Sequence, residues 1–136
     1  MFTVLILCTG NSCRSQMAEA IVNHEFRGQV KALSAGTQPQ PQVAKGAIEA
    51  LHLAGLETTG LYPKDVSVFL DTPIDLVITV CDNAQEACPI FPRPVPQVHL
   101  PFHDPHGEPL ASFIQVCDEI RARLIPVVRA ALQQEV

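Results

Sequence analysis

Residues 2–7, Phe-Thr-Val-Leu-Ile-Leu, form an apolar run that stops at Cys8 and gives way to Thr9-Gly10-Asn11-Ser12-Cys13-Arg14-Ser15. Beyond it Met17, Ala18, Ile21, Val22 and Phe26 recur at helical spacing. The stretch therefore reads as a buried strand, a tight loop and a helix. At such a turn several backbone N–H groups and the positive end of the helix dipole converge, which makes an anion site. Gly10 is expected to let the backbone turn without a Cβ clash, and Asn11 to pin the loop. Arg14 adds a planar fork of donors suited to a tetrahedral oxyanion. A cysteine at the strand end, in that field, is expected to be a thiolate and hence a nucleophile. Ser15 is placed to hydrogen-bond that thiolate, to cap the helix, or both. Taken singly, Cys8 reads equally well as an inert core thiol, and Arg14 as a solvated side chain. Their combination with Gly10, Asn11 and the strand-loop-helix context is what points to chemistry.

With 136 residues, 47% apolar and 17% charged, the chain suits a single globular domain spanning residues 1–136. A net charge of -5 gives no support to binding nucleic acid or an anionic membrane, so an oxyanion would have to be drawn in by a local positive site. No apolar run approaches membrane-spanning length, and no basic region leads into a signal core, so a cytoplasmic protein is expected. In that compartment five cysteines point to catalysis, redox chemistry or metal binding more than to a disulfide framework.

Strands are expected at 30–35, 74–80 and 97–100, and helices at 43–54, 65–70 and 109–134. The 74–80 run is nearly continuous in its hydrophobicity, as a central parallel strand should be. Residues 38–42, Gln-Pro-Gln-Pro-Gln, read as a stiff polar connection, and the four prolines of 89–96 exclude a central strand there. In the last helix Leu110, Phe113, Ile114, Cys117, Ile120, Leu124, Val128 and Ala131 form the buried stripe, with a kink or break expected near Pro126. His24 and His52 read as surface residues. The alternation of strands and helices gives an α/β sandwich with a parallel sheet.

Cys81 stands at the end of the 74–80 strand, and parallel strands would put it on the same rim as Cys8. A bond between them needs only local motion. Cys88 follows after a polar, helix-compatible segment. If that segment is helical, the Cys81 and Cys88 Cα atoms lie roughly 10 Å apart, against roughly 4.4–6.8 Å in a disulfide, so bridging them requires rearrangement. A zinc site adding His99, His103 or His106 is a rival, although the cysteines lack the spacing of a metal knuckle. Asp104-Pro105 offers an acid near the anion loop, or an ordinary surface turn.

The series cysteine, five residues, arginine, serine resembles the phosphate-binding loop of the low-molecular-weight tyrosine phosphatase superfamily. Continued through Gln16, Met17, Ala18 and Glu19, and joined by Cys81, Cys88, Pro89 and Ile90, it is similar to the thioredoxin-coupled arsenate reductases within it. The resemblance implies a three-layer α/β/α sandwich with a four-stranded parallel sheet of order 2-1-3-4. It implies an oxyanion held by Thr9, Gly10, Asn11, Ser12, Cys13 and Arg14. Arsenate, or the similar phosphate, would be that oxyanion. Cys8 would be the nucleophile, with Ser15 beside it and Asp104 the general acid. Cys81 and Cys88 would complete a relay emptied by thioredoxin. A potassium ion beside the loop would take Asn11, Glu19, Ser34 and Asp65 as ligands; no other cofactor is required, and a monomer is expected. Phosphatases of this group usually carry tandem aromatics after the Asp-Pro pair, whereas here His106-Gly107 follow. That departure argues against an aryl phosphate substrate. Two alternatives remain at the level of sequence. One is a phosphatase that leaves Cys81 and Cys88 idle; the other is an oxyanion or redox sensor without enzymatic activity.

Overall fold

A computed structural model describes residues 1–81 and 94–134. Strands β1 (Phe2–Cys8), β2 (Val30–Gly36), β3 (Leu76–Thr79) and β4 (Gln97–His99) form one parallel sheet of order β2-β1-β3-β4. The helices are α1 (Arg14–Glu25), α2 (Lys45–Leu53) and α3 (Leu110–Gln134), with a short 3-10 helix at Val66–Phe69 capped by the Asp65 carboxylate on the Ser67 N–H. The expected architecture and strand order are both present.

The central position of β1 follows from its composition. Val4, Leu5, Ile6 and Leu7 are fully buried, as are Val77 and Ile78 of neighbouring β3, because a central parallel strand is covered on both faces. At the β2 edge, Asn23 of α1 donates to the Ala32 carbonyl and accepts from the Ala32 N–H, which occupies backbone groups an open edge would expose. Helices α1, α2 and α3 pack on one another. The α3 stripe buries Phe113, Cys117, Ile120, Leu124 and Val128 as expected, and Val116 and Ile125 join it. Among the described residues no helix is long and apolar enough to cross a membrane.

The expected break near Pro126 is absent: α3 runs as one helix through it. Pro126 and Ala122 both lie on the exposed side, so the carbonyl that loses its helical partner faces water.

Register decides where the site forms. Cys8 pairs with Gly36, Leu7 pairs with Thr79, and Val80 donates to the Leu7 carbonyl. Cys8, Gly36 and Cys81 therefore share the carboxyl rim of the sheet, where open α/β sheets receive ligands.

Candidate active site

Every carbonyl of the loop between β1 and α1 is hydrogen-bonded to a protein donor. Thr9 O accepts from Gln38 N at 2.9 Å, Gly10 O from Gln40 N at 2.9 Å and Ser12 O from Ala44 N at 2.8 Å. Asn11 O accepts from Gln16 Nε2 at 2.9 Å, and Cys13 O from Met17 N at 2.9 Å. The N–H groups of Gly10, Asn11, Ser12 and Cys13 donate to no acceptor among the described residues. The backbone is thus fixed with its acceptors tied down and its donors free, which is an anion nest. The stiff connection at 38–42 has a role its composition does not disclose, since it runs beside the loop and its Gln38 and Gln40 N–H groups bond the successive carbonyls of Thr9 and Gly10.

Asn11 carries the tightest turn, with φ +50°, whereas Gly10 is not in the left-handed region. At Gly10 an added Cβ would lie 3.1 Å from Gln40 Cγ. Asparagine tolerates the torsion at Asn11, and its amide is fully engaged. Nδ2 donates to Ser15 Oγ at 2.7 Å and Ser34 Oγ at 3.0 Å; Oδ1 accepts from Lys64 N at 2.9 Å and Gln16 Nε2 at 3.1 Å. Gly36 supports the loop by being small. A Cβ there would lie 2.5 Å from the Thr9 carbonyl oxygen and 3.0 Å from Asn11 Cβ. Read in sequence, Gly36 only closes a strand, because the loop it abuts lies far away along the chain.

The first helical position is Arg14, and the N-cap is Cys13 with no side-chain cap bond. The capping role expected of Ser15 is therefore not observed. Its buried hydroxyl accepts from Asn11 and makes no hydrogen bond with Cys8.

Cys8 and Cys81 are both buried and line the same cleft. Cys81 Sγ is held by Thr9 through the backbone N–H at 3.2 Å and through Oγ1 at 3.2 Å. The Thr9 N–H is thereby committed to sulfur, not to an oxyanion. The Cys81 thiol is the largest influence on Cys8 and raises its pKa far above the ordinary thiol range; burial adds to the rise. Arg14 and the Thr9 N–H pull it down without prevailing. The expected Cys8 thiolate is accordingly corrected for this arrangement. The acidifying field exists, but two neighbouring thiols titrate as a pair, and a charge on one holds the proton on the other. Cys13 is pushed up to about 12, first by burial and then by Asp104, which makes it a poor rival nucleophile.

Arg14 Nη1 donates to Phe102 O at 3.1 Å, and Nη2 lies 3.6 Å from Asp104 Oδ2. Its buried Nε has no hydrogen-bond partner among the described residues. The guanidinium is thus anchored at one end and presents an unused donor at the other. Asp104 is half-exposed at the mouth, and its Oδ1 accepts from His106 N at 3.1 Å. A cleft of about 830 Å³ opens over the loop, walled by residues 40–45 and by Cys81, Asp104, His106 and Phe113. It is far wider than an oxyanion alone requires.

Of the set proposed for potassium, Asn11, Ser34 and Glu19 lie along one hydrogen-bonded chain, whereas the Asp65 carboxylate makes its bond elsewhere. Ser34 Oγ donates to Glu19 Oε1 at 2.7 Å, but Asp65 is exposed and its carboxylate caps the 3-10 helix. Lys64 Nζ instead stands 3.8 Å from Glu19 Oε1. Burial raises the Glu19 pKa and lowers that of Lys64, and each is partly restored by the other's charge. Among the described residues no group of His, Cys, Asp and Glu could hold a metal. His99 Nδ1 is instead 2.7 Å from Thr79 Oγ1, and His103 Nε2 is 2.6 Å from Glu108 Oε2. Cys88 and the helix-compatible segment before it lie outside the described residues, as do Pro89 and Ile90.

The low molecular weight phosphotyrosine protein phosphatase family matches residues 3–136. An arsenate reductase of Bacillus cereus strain 03BB102 is 38% identical over 122 residues, 90% of this chain and 90% of that protein. The solved arsenate reductase of Archaeoglobus fulgidus superposes with a TM-score of 0.77 at 31% identity, covering 92% of this chain and 98% of the other. An arsenate reductase solved in its phosphate-binding state superposes with a TM-score of 0.79 at 25% identity, covering 96% and 99%.

Two expectations follow from this geometry. Gly36→Ala must push the Thr9 carbonyl away, so it should cost about 1–3 kcal/mol in urea denaturation and weaken phosphate binding in calorimetry. Unchanged binding would show that the loop is not supported from this side. Cys81→Ala removes the largest influence raising Cys8, so more Cys8 is ionised at a given pH. Iodoacetamide should alkylate Cys8 faster at neutral pH, with the rate profile moved to lower pH. An unmoved profile would mean that the two thiols do not share protons.

Proposed function

Given that the chain belongs to the low molecular weight phosphotyrosine protein phosphatase family, we propose that it is an arsenate reductase working through Cys8, Cys81 and Cys88, with thioredoxin as reductant. The single observation that carries this reading is the placement of Cys8 and Cys81 in one cleft beside a donor-lined oxyanion nest, with Cys81 Sγ held by Thr9, the residue after Cys8. Hydrolysis needs one thiol, whereas a two-electron reduction of the oxyanion needs a second beside the first.

The chemistry balances with these groups. Arsenate enters the nest on the N–H groups of residues 10–13 and the unused Arg14 Nε. Its arrival brings negative charge toward the paired thiols, and the Cys8 proton leaves with an arsenate oxygen as water. Asp104 at the mouth relays that proton. Cys8 sulfur is then bonded to arsenic(V). Cys81 sulfur attacks Cys8 sulfur, its proton passes to an oxygen on arsenic, the sulfur–arsenic bond breaks, and its electron pair stays on arsenic, which leaves as arsenite. Two thiols have become one disulfide and arsenic(V) has become arsenic(III). Attack by Cys88 on Cys81 frees Cys8, and a dithiol of the thioredoxin class reduces the resulting Cys81–Cys88 bond by exchange. Such a cycle belongs in a compartment that keeps thiols reduced, which favours the cytoplasm.

A phosphatase using Cys8, Arg14 and Asp104 alone is not favoured, since relatives similar over most of the chain are arsenate reductases. Slow phosphomonoester hydrolysis as a side activity follows from the shared shape of phosphate and arsenate.

The relay is tested with Cys88→Ser and arsenate in the absence of thioredoxin. Cys8 and Cys81 can still react in turn, so one arsenite per chain should be released before the protein stops as a Cys8–Cys81 disulfide. Cys81→Ser should release none and keep any phosphatase activity. Peptide mapping that finds Cys8 joined to Cys13 instead would remove Cys81 from the relay.

A further inference from the structure

We propose that Lys64 is a built-in cation behind the oxyanion loop, a positioning residue standing where the resemblance would put a potassium ion. The inference rests on the oxyanion-site reading above and concerns what holds that site in shape and charge.

The rear of the loop is a buried polar chain. Asn11 donates to Ser15 and Ser34, and Ser34 donates to Glu19 Oε1. Glu19 brings a carboxylate, 13% exposed, to the back of a loop whose front is to bind an anion. Uncompensated, that charge opposes the oxyanion through a medium of low dielectric. Lys64, 10% exposed, supplies the opposite charge 3.8 Å from Glu19 Oε1. Its ammonium also donates to Tyr62 O at 2.7 Å and sits 4.3 Å from the Tyr62 ring centroid. The backbone of the same residue reaches the loop. Lys64 N donates to Asn11 Oδ1, and Lys64 O accepts from Gly36 N at 2.8 Å. One residue therefore fixes the Asn11 amide, holds the Gly36 strand end and neutralises Glu19.

A potassium ion needs several convergent oxygens, and two of those behind the loop already accept from nitrogen donors. Asn11 Oδ1 accepts from Lys64 N and Gln16 Nε2; Tyr62 O accepts from Gln16 Nε2 and Lys64 Nζ. Asp65 is turned to the solvent side. The chain thus meets with its own ammonium a requirement that an ion would otherwise fill.

The test is calorimetric titration with inorganic phosphate, with melting temperatures measured alongside, in potassium and in sodium chloride at equal ionic strength. Wild type should bind phosphate and melt identically in both salts. Lys64→Met should weaken binding roughly 2–30-fold, the range of coupling through packed networks. Lys64→Arg should retain most of the affinity. Adding Glu19→Gln to Lys64→Met should recover much of the loss, because the charge needing compensation is gone; a purely structural role would give no such recovery. Should Lys64→Met fail to fold, the double variant still decides, since a neutral pair is expected to pack and bind. Wild-type binding or melting that depends on potassium overturns the proposal, as does a Lys64→Met protein with wild-type affinity, or a double variant that folds no better or binds no better than Lys64→Met. If wild type binds no phosphate at all, the oxyanion site itself is wrong.

Discussion

Five consecutive carbonyls turned away from the cleft are the constraint on which the rest of the structure depends. A loop of that length buried at a sheet edge must satisfy its acceptors, and here every acceptor from Thr9 to Cys13 finds a partner on the outer side. The donors face inward as a consequence. The partners come from three sources: the 38–44 segment, the Gln16 amide and the first turn of α1. The Asn11 side chain and the absent side chain of Gly36 allow the loop to sit close enough for those bonds to form. Parallel pairing of β1 with β2 and β3 then brings Gly36 and Cys81 to the same rim without any special device.

The thiol pair adds a second layer of control. In the arrangement seen, the Cys81 thiol and burial both raise the pKa of Cys8. The groups that would ionise it, Arg14 and the Thr9 N–H, are already in place. This makes the nucleophile responsive to its ligand: an oxyanion can take up the proton that the thiol gives and carry it off as water. Thr9 links the two halves of the chemistry, since it is part of the loop and also holds Cys81 Sγ.

Sheet order, helix positions and the nucleophilic loop were legible because each is written locally, as an apolar run, a helical period or a short motif. What escaped was long-range. Residues 38–42 look like a spacer, since nothing in Gln-Pro-Gln-Pro-Gln names the carbonyls it will meet. The close approach at Gly36 leaves no mark in sequence, because the Thr9 carbonyl it meets lies far away along the chain. Lys64 was passed over for the neighbouring Asp65: a carboxylate suggests an ion site, and only the fold shows that the adjacent ammonium reaches Glu19 first. That Pro126 does not break α3 depends on which side of the helix faces water, which the residue alone does not say.

The central claim is that a donor-lined nest beside paired thiols spends two electrons on each oxyanion. The most direct measurement supplies arsenate with thioredoxin, thioredoxin reductase and NADPH, and follows NADPH oxidation and arsenite together. The account predicts one NADPH consumed per arsenite formed, with oxidation ceasing when thioredoxin is omitted. Arsenate that leaves NADPH untouched, while phosphomonoesters are hydrolysed at full rate, would contradict it and make the second thiol a bystander.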